Sequence, residues 1–218
     1  MLTVLLSGCV YYPHLPDVPL ISEKNDLRID GGVSMIAVNA TASYGVTENL
    51  AVQAFGTLGA DHVHYYHGAA GIYKDLGNYR IMEIYGGVGH GYGDATNNST
   101  GGRLSGHYQL YFTQFNIGKI KEKSSKYEFG FGLKTGYLHS RLKDYHYYFP
   151  PYLPPNEPYL EYRDHSLVVE PTAVLRLGGD HLKFSIKLGG CWIHKFTHVD
   201  KTLPYRYINL GLGLNYRL

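Results

Sequence analysis

Nothing in the 218 residues is apolar for long enough to cross a membrane as a helix, which takes about 20 consecutive residues. Cysteine is scarce at two residues, so neither a disulfide framework nor a cysteine-rich metal site can be built. Charge of one sign is lacking too. The 20 Lys and Arg against 18 Asp and Glu give a formal +2, with no basic run of the kind nucleic acid requires. A single Trp contrasts with 22 Tyr and 27 Gly. Tyr suits the two edges of a bilayer, and Gly suits strands that curve around a narrow interior. If such a chain enters a bilayer it must do so as a closed barrel, because only helices and closed barrels satisfy every backbone group there.

The last stretch, residues 205–218, sets the pattern. Ile208, Leu210, Leu212, Leu214, Tyr216 and Leu218 alternate with Asn209, Gly211, Gly213, Asn215 and Arg217. Strict period-two alternation places one strand face in an apolar medium and the other in a polar one. Similar stretches recur at 27–33, 38–46, 50–58, 64–74, 79–92, 103–120, 127–142, 166–177 and 182–194. Short turns at 47–49, 76–78, 121–126 and 178–180 separate longer connections. In outer-membrane barrels short turns face the periplasm and long loops face outward. With both barrel ends periplasmic the strand number is even. The predicted fold is all-β, a closed antiparallel transmembrane β-barrel of ten strands, or of eight if one weak pair does not span.

Outward sets follow from the alternation: Met82/Ile84/Val88, Leu104/Tyr108/Leu110/Phe112, Tyr127/Phe129/Phe131/Leu133, Leu167/Val169/Ala173/Leu175/Leu177 and Leu182/Phe184/Ile186/Leu188/Trp192. The opposite phase carries a lumen charge network of Glu83, Glu128, Lys134, Glu170, Arg176, Lys183, Lys187 and Arg217. A Lys or Arg facing lipid at mid-depth costs about 2–4 kcal/mol, so this phase is set by physics. Two departures stand out. Pro171 falls on the outward phase inside a strand, and the phase slips near residues 113–115, as a bulge would make it. In so small a barrel these charges read as a polar plug rather than a cation-lined pore, since large tyrosines share the inward phase.

At the N-terminus Leu6-Ser7-Gly8-Cys9 follows the apolar residues 2–6 and resembles a bacterial lipobox, whose Cys is lipidated. Residues 10–24 hold three prolines and no usable period, as an extended tether does. The lipobox, this tether, the Asp26-Leu27-Arg28-Ile29-Asp30-Gly31-Gly32-Val33-Ser34 opening, the repeated hairpins and the terminal strand together resemble small outer-membrane β-barrel lipoproteins of Bacteroidetes. The ending departs from that pattern, Leu218 standing where Phe or Tyr is usual. The resemblance implies residues 1–8 as a signal-peptide remnant, 9–25 as a lipidated tether, and 26–218 as the barrel with long outer loops. It also implies a bacterial outer-membrane location. No acidic cluster follows Cys9, which by the same resemblance implies a periplasmic, lipid-anchored N-terminus. Cys191 reads as a small buried filler within a strand.

No catalytic constellation emerges. Asp144-x-His146 has the spacing of an acid–His pair but lacks an Asp-Asp partner, and in His139-Ser140 and His165-Ser166 adjacent side chains point apart on a strand. Histidines at 62, 64, 67, 90, 146, 194 and 198 fall near the outer rim. His62-x-His64 has ligand spacing, yet no acid or Cys completes it, so no metal and no cofactor is expected. The segment 145–159 is the most distinctive. Its Tyr145, Tyr147, Tyr148, Phe149, Tyr152 and Tyr159 on a proline-stiffened backbone form a partner-binding loop, or a lid over the mouth. The expected function is a non-enzymatic, lipid-anchored barrel serving as an accessory subunit of a larger membrane-protein complex, in contact with outer-membrane lipid and not with nucleic acid. The alternatives are a narrow pore or small-ligand-binding barrel, and an outer-rim hydrolase.

Overall fold

The computed structural model describes residues 9–15, 18–59, 63–97, 102–120, 127–145, 160–196 and 205–218. Its strands are β1 (Leu27–Ser34), β2 (Ala37–Gly45), β3 (Leu50–Gly59), β4 (His64–Asp75), β5 (Arg80–Asn97), β6 (Gly102–Lys119), β7 (Tyr127–Tyr145), β8 (Leu160–Gly178), β9 in two collinear pieces (Leu182–Gly190 and Trp192–Lys195) and β10 (Ile208–Arg217). Each strand pairs antiparallel with the next, and β10 returns to β1 through Ile29↔Tyr216 and Val33↔Leu212. The sheet is therefore closed, with ten strands and no edge to protect.

The outer wall is apolar where the alternation predicts. Phe129, Phe131, Phe184, Leu188, Leu210, Leu212 and Leu214 are all exposed, as are Trp192 and Tyr216 near the two ends of the belt. Strands β5 to β8 run 18–19 residues. That is nearly twice the about 9–11 that a tilted strand needs to cross a bilayer. They stand above the belt as a high wall on the long-loop side.

Pro171 is explained by the break in β9. The β8–β9 ladder holds at Thr172↔Gly189 and resumes at Val169↔Trp192, and it lapses where Pro171 has no N–H to give. Cys191 turns its N–H instead to the Tyr207 carbonyl at 2.8 Å, and its side chain is buried toward the lumen.

The predicted bulge at 113–115 is absent. Strand β6 pairs without interruption from Arg80↔Lys119 to Asn97↔Gly102. Tyr108, Leu110 and Phe112, expected on the lipid side, instead face the interior and are buried there. Leu104 packs against the same core. The lumen is not polar throughout: its long-loop half contains an apolar core, in which these side chains meet Val10, Tyr11, Leu138, Val168 and Ile193.

Candidate functional site

The short-turn half of the lumen holds most of the charges. Glu128 lies 3.5 Å from Arg28 Nη1, 3.7 Å from Arg176 Nη1 and 3.3 Å from Lys183 Nζ, all four side chains essentially dry. Asp26 bridges Arg28 Nε at 3.5 Å and Arg217 Nε at 3.0 Å. Higher up, Lys187 pairs with Asp30, which also accepts from Ser185 Oγ at 3.3 Å. Lys134 Nζ lies 3.4 Å from Glu170. Glu83 accepts from Asn116 Nδ2 at 2.9 Å. Every charge predicted for the lumen thus faces inward, Arg217 at its short-turn end only half-buried. The prediction missed Asp26, Arg28 and Asp30. Arg28 and Asp30 were readable, since Leu27 and Ile29 alternate with them.

Pairing across the lumen does not fill it; the N-terminal segment does. Residues read as an extended tether run through the barrel instead. Val10, Tyr11, His14, Leu15, Val18, Leu20 and Ile21 are all buried, at 4 % exposure or less. Near the long loops Tyr11 bridges to Tyr205, and the Arg206 N–H donates to the Tyr11 carbonyl at 3.2 Å. Midway, Glu170 accepts from Tyr11 Oη at 3.2 Å and from the His14 N–H at 3.0 Å. There Asn209 Nδ2 donates to the Pro13 carbonyl at 2.9 Å, and the His14 ring stacks 3.6 Å from Tyr65. Lower down, Arg176 donates to the Val18 carbonyl and Glu83 accepts from the Ile21 N–H at 2.7 Å. Leu20 takes a left-handed φ of 57°, a conformation that costs a non-glycine residue about 1–2 kcal/mol. The wall holds the segment in a shape it would not choose.

Two glycines show how closely wall and segment match. A Cβ at Gly130 would lie 2.9 Å from Val18 Cγ1, and one at Gly189 would lie 2.4 Å from Leu15 Cδ2. At both positions the three atoms nearest the added carbon belong to the segment. The wall gives up side chains where the segment supplies them.

Cys9 is consequently carried to the long-loop end of the lumen, beside Arg206, opposite the short-turn end where the sequence reading put the N-terminus. Above the segment, the mouth keeps a recess of about 100 Å³ between Tyr12, His14, Asn39, Phe55, His64, Asp94 and Arg206.

The other predicted residues fall in several places. Of the aromatic loop only Tyr145, half-buried at the end of β7, is among the described residues; Tyr147, Tyr148, Phe149, Tyr152 and Tyr159 lie outside them, as do His62, His146 and His198. Asp144 is buried and faces inward at the long-loop end of β7. His67, expected near the rim, is instead buried in the lumen against Phe55, Tyr65 and Phe112. Cys9 and Cys191 are both free thiols.

No family model matches the chain. No curated protein matches it in sequence. Among solved structures it is similar to the KdgM porin, with a TM-score of 0.41 and 10% identity over 88% of this chain and 98% of that one. A structure of the same porin in complex with disordered oligogalacturonate gives 0.41 and 9%, over 88% and 98%. The N-terminal β-barrel domain of Pseudomonas aeruginosa OprF gives 0.34 and 12%, over 89% and 98%.

Proposed function

We propose that the protein is an outer-membrane pore kept shut by its own N-terminal segment. The apolar outer belt supports the membrane seat. The observation that carries the pore is the filling of the lumen: segment side chains, not wall side chains, occupy the space over Gly130 and Gly189. A barrel needing only structural solidity would fill that space from its own strands, as narrow barrels do. Here most lumen charges find partners within the wall, so withdrawing the segment leaves a hydrated, charge-lined passage rather than a set of stranded ions. With short turns facing the periplasm, Cys9 lies at the outer face, and an acyl group on it would sit there. The accessory-subunit reading would place its contacts on the 145–159 loop and the lipid-facing wall, and the filling of the lumen lends it no support.

The test is conductance across a planar bilayer. The intact chain is expected to be silent, and Leu15→Asp combined with Val18→Asp to give stepwise openings, because both carboxylates would have to enter a dry site. A second readout uses Cys191, which packs beside Tyr11. In a Cys9→Ser background a maleimide should leave Cys191 unmodified in the parent chain and label it in the double variant. A folded double variant that stays silent with Cys191 unreactive would refute the gated pore.

A further inference from the structure

We propose that Tyr137, His139 and His165 form a binding site for a divalent transition-metal ion of the kind imidazole favours, Zn(II) or Cu(II), on the outer wall of the barrel. The site arises from register. His139 on β7 faces His165 on β8 as its direct cross-strand partner, and Tyr137 follows two residues below on the same face. Thr135 and Leu133 continue that face down into the apolar belt, and Arg141 stands above it, so the three side chains sit at the long-loop water boundary.

Their polar atoms converge. The two Nδ1 atoms are 3.3 Å apart, with ring centroids 4.7 Å apart, and the Tyr137 hydroxyl meets the same Nδ1 of His165. Hydrogen bonding alone fits this poorly. An imidazole Nδ1 has one in-plane lone pair or one N–H, and here that single site on His165 faces two partners. A metal uses both imidazole lone pairs at once, and the Tyr137 hydroxyl joins it by moving out from His165 to the same spacing. Zinc–nitrogen bonds of about 2.0–2.1 Å at a tetrahedral angle place two nitrogens about 3.3–3.4 Å apart, the separation seen here. Cu(II) is the tighter of the two ions at nitrogen sites in general. Solvent completes the coordination, since among the described residues no third His, Cys, Asp or Glu joins the pair.

Neighbouring charge sets a limit on affinity. Arg163 lies two residues from His165 on the outward face, and Arg141, paired with Glu161, stands above the site, so neighbouring positive charge opposes the metal. A useful contrast lies around the barrel, where His90 and His107 meet as stacked rings 5.3 Å apart.

The experiment titrates the folded, full-length protein in detergent micelles with Cu(II) and separately with Zn(II). Calorimetry follows both ions, and electron paramagnetic resonance follows the copper form. The parent chain should show copper bound by two imidazole nitrogens. His139→Ala and His165→Ala should each weaken binding at least about tenfold, the lower end of what loss of even a supporting group costs a metal site, and should reduce the nitrogen couplings to one. Tyr137→Phe should weaken it less, and His107→Ala should leave it unchanged. All four residues face outward, so the heat-modifiable band of the folded barrel serves as the folding check. Binding that survives His139→Ala and His165→Ala, or that falls equally with His107→Ala, would overturn the proposal, and the three side chains would then form a hydrogen-bonded ladder only.

Discussion

Glu128→Leu should destabilise the barrel by about 3–5 kcal/mol, the cost of removing one partner from a buried ion pair, and more if the surrounding cations cannot relax. Three cations depend on this carboxylate: Arg28 at 3.5 Å, Arg176 at 3.7 Å and Lys183 at 3.3 Å. Arg28 retains Asp26, and Arg176 retains the Val18 carbonyl of the segment. Lys183 keeps, among the described residues, the Asp180 carbonyl at 3.1 Å. The converse change should be mild. Lys183→Met leaves Glu128 with two guanidinium partners and removes a charge whose desolvation was costly, so its effect is expected to be clearly the smaller of the two. Urea unfolding in micelles, followed by the heat-modifiable band, measures both. Equal effects of the two substitutions would show that the carboxylate is not the hub of the network.

How far the sequence reveals this arrangement depends on what lies opposite each strand. In β10 the lipid side is Ile208, Leu210, Leu212 and Leu214, the lumen side is Asn209, Gly211, Gly213 and Asn215, and the period of two is plain. The strand count and the inward Glu128, Lys134 and Glu170 follow from the same contrast. In β6 the contrast vanishes, because Tyr108, Leu110 and Phe112 face a dry upper lumen and read as lipid-facing. That lumen is dry because Val10 and Tyr11 occupy it, and nothing local reports them. Pro13, Pro16 and Pro19 erase any period in the segment. Its partners across the lumen include Gly130 and Gly189, whose lack of a side chain is the recognition element and leaves no pattern to read. Cradle glycines and curvature glycines look alike in a sequence. The His139–His165 pair escaped for another reason: its register runs through the loop 146–159, whose length gives no hint of which residues face each other.

Enlarging those two glycines should open the proposed pore without touching the segment. Gly130→Val and Gly189→Val each place methyl groups where Val18 and Leu15 now sit. Overpacking of this kind costs about 1–3 kcal/mol per site. Each 1.4 kcal/mol is a tenfold shift in an equilibrium, so one substitution should raise the open fraction about 5- to 150-fold and the pair should act multiplicatively. Leu15 can swing the end of its side chain aside, whereas Val18 is branched at Cβ and stiff, so Gly130→Val should be the stronger of the two. Compensation separates this mechanism from general damage to the barrel. Val18→Gly on the Gly130→Val background returns the lost volume and should restore closure, while Val18→Gly alone should loosen the plug. Gly86→Ala, on the lipid-facing side of β5 with open space around its added carbon, should change neither conductance nor Cys191 labelling. If Gly130→Val and Gly86→Ala behave alike, the fit between wall and segment has no energetic weight. If Gly130→Val opens the pore and Val18→Gly fails to close it, the wall itself has been deformed, and the passage seen in the variant is not the native one.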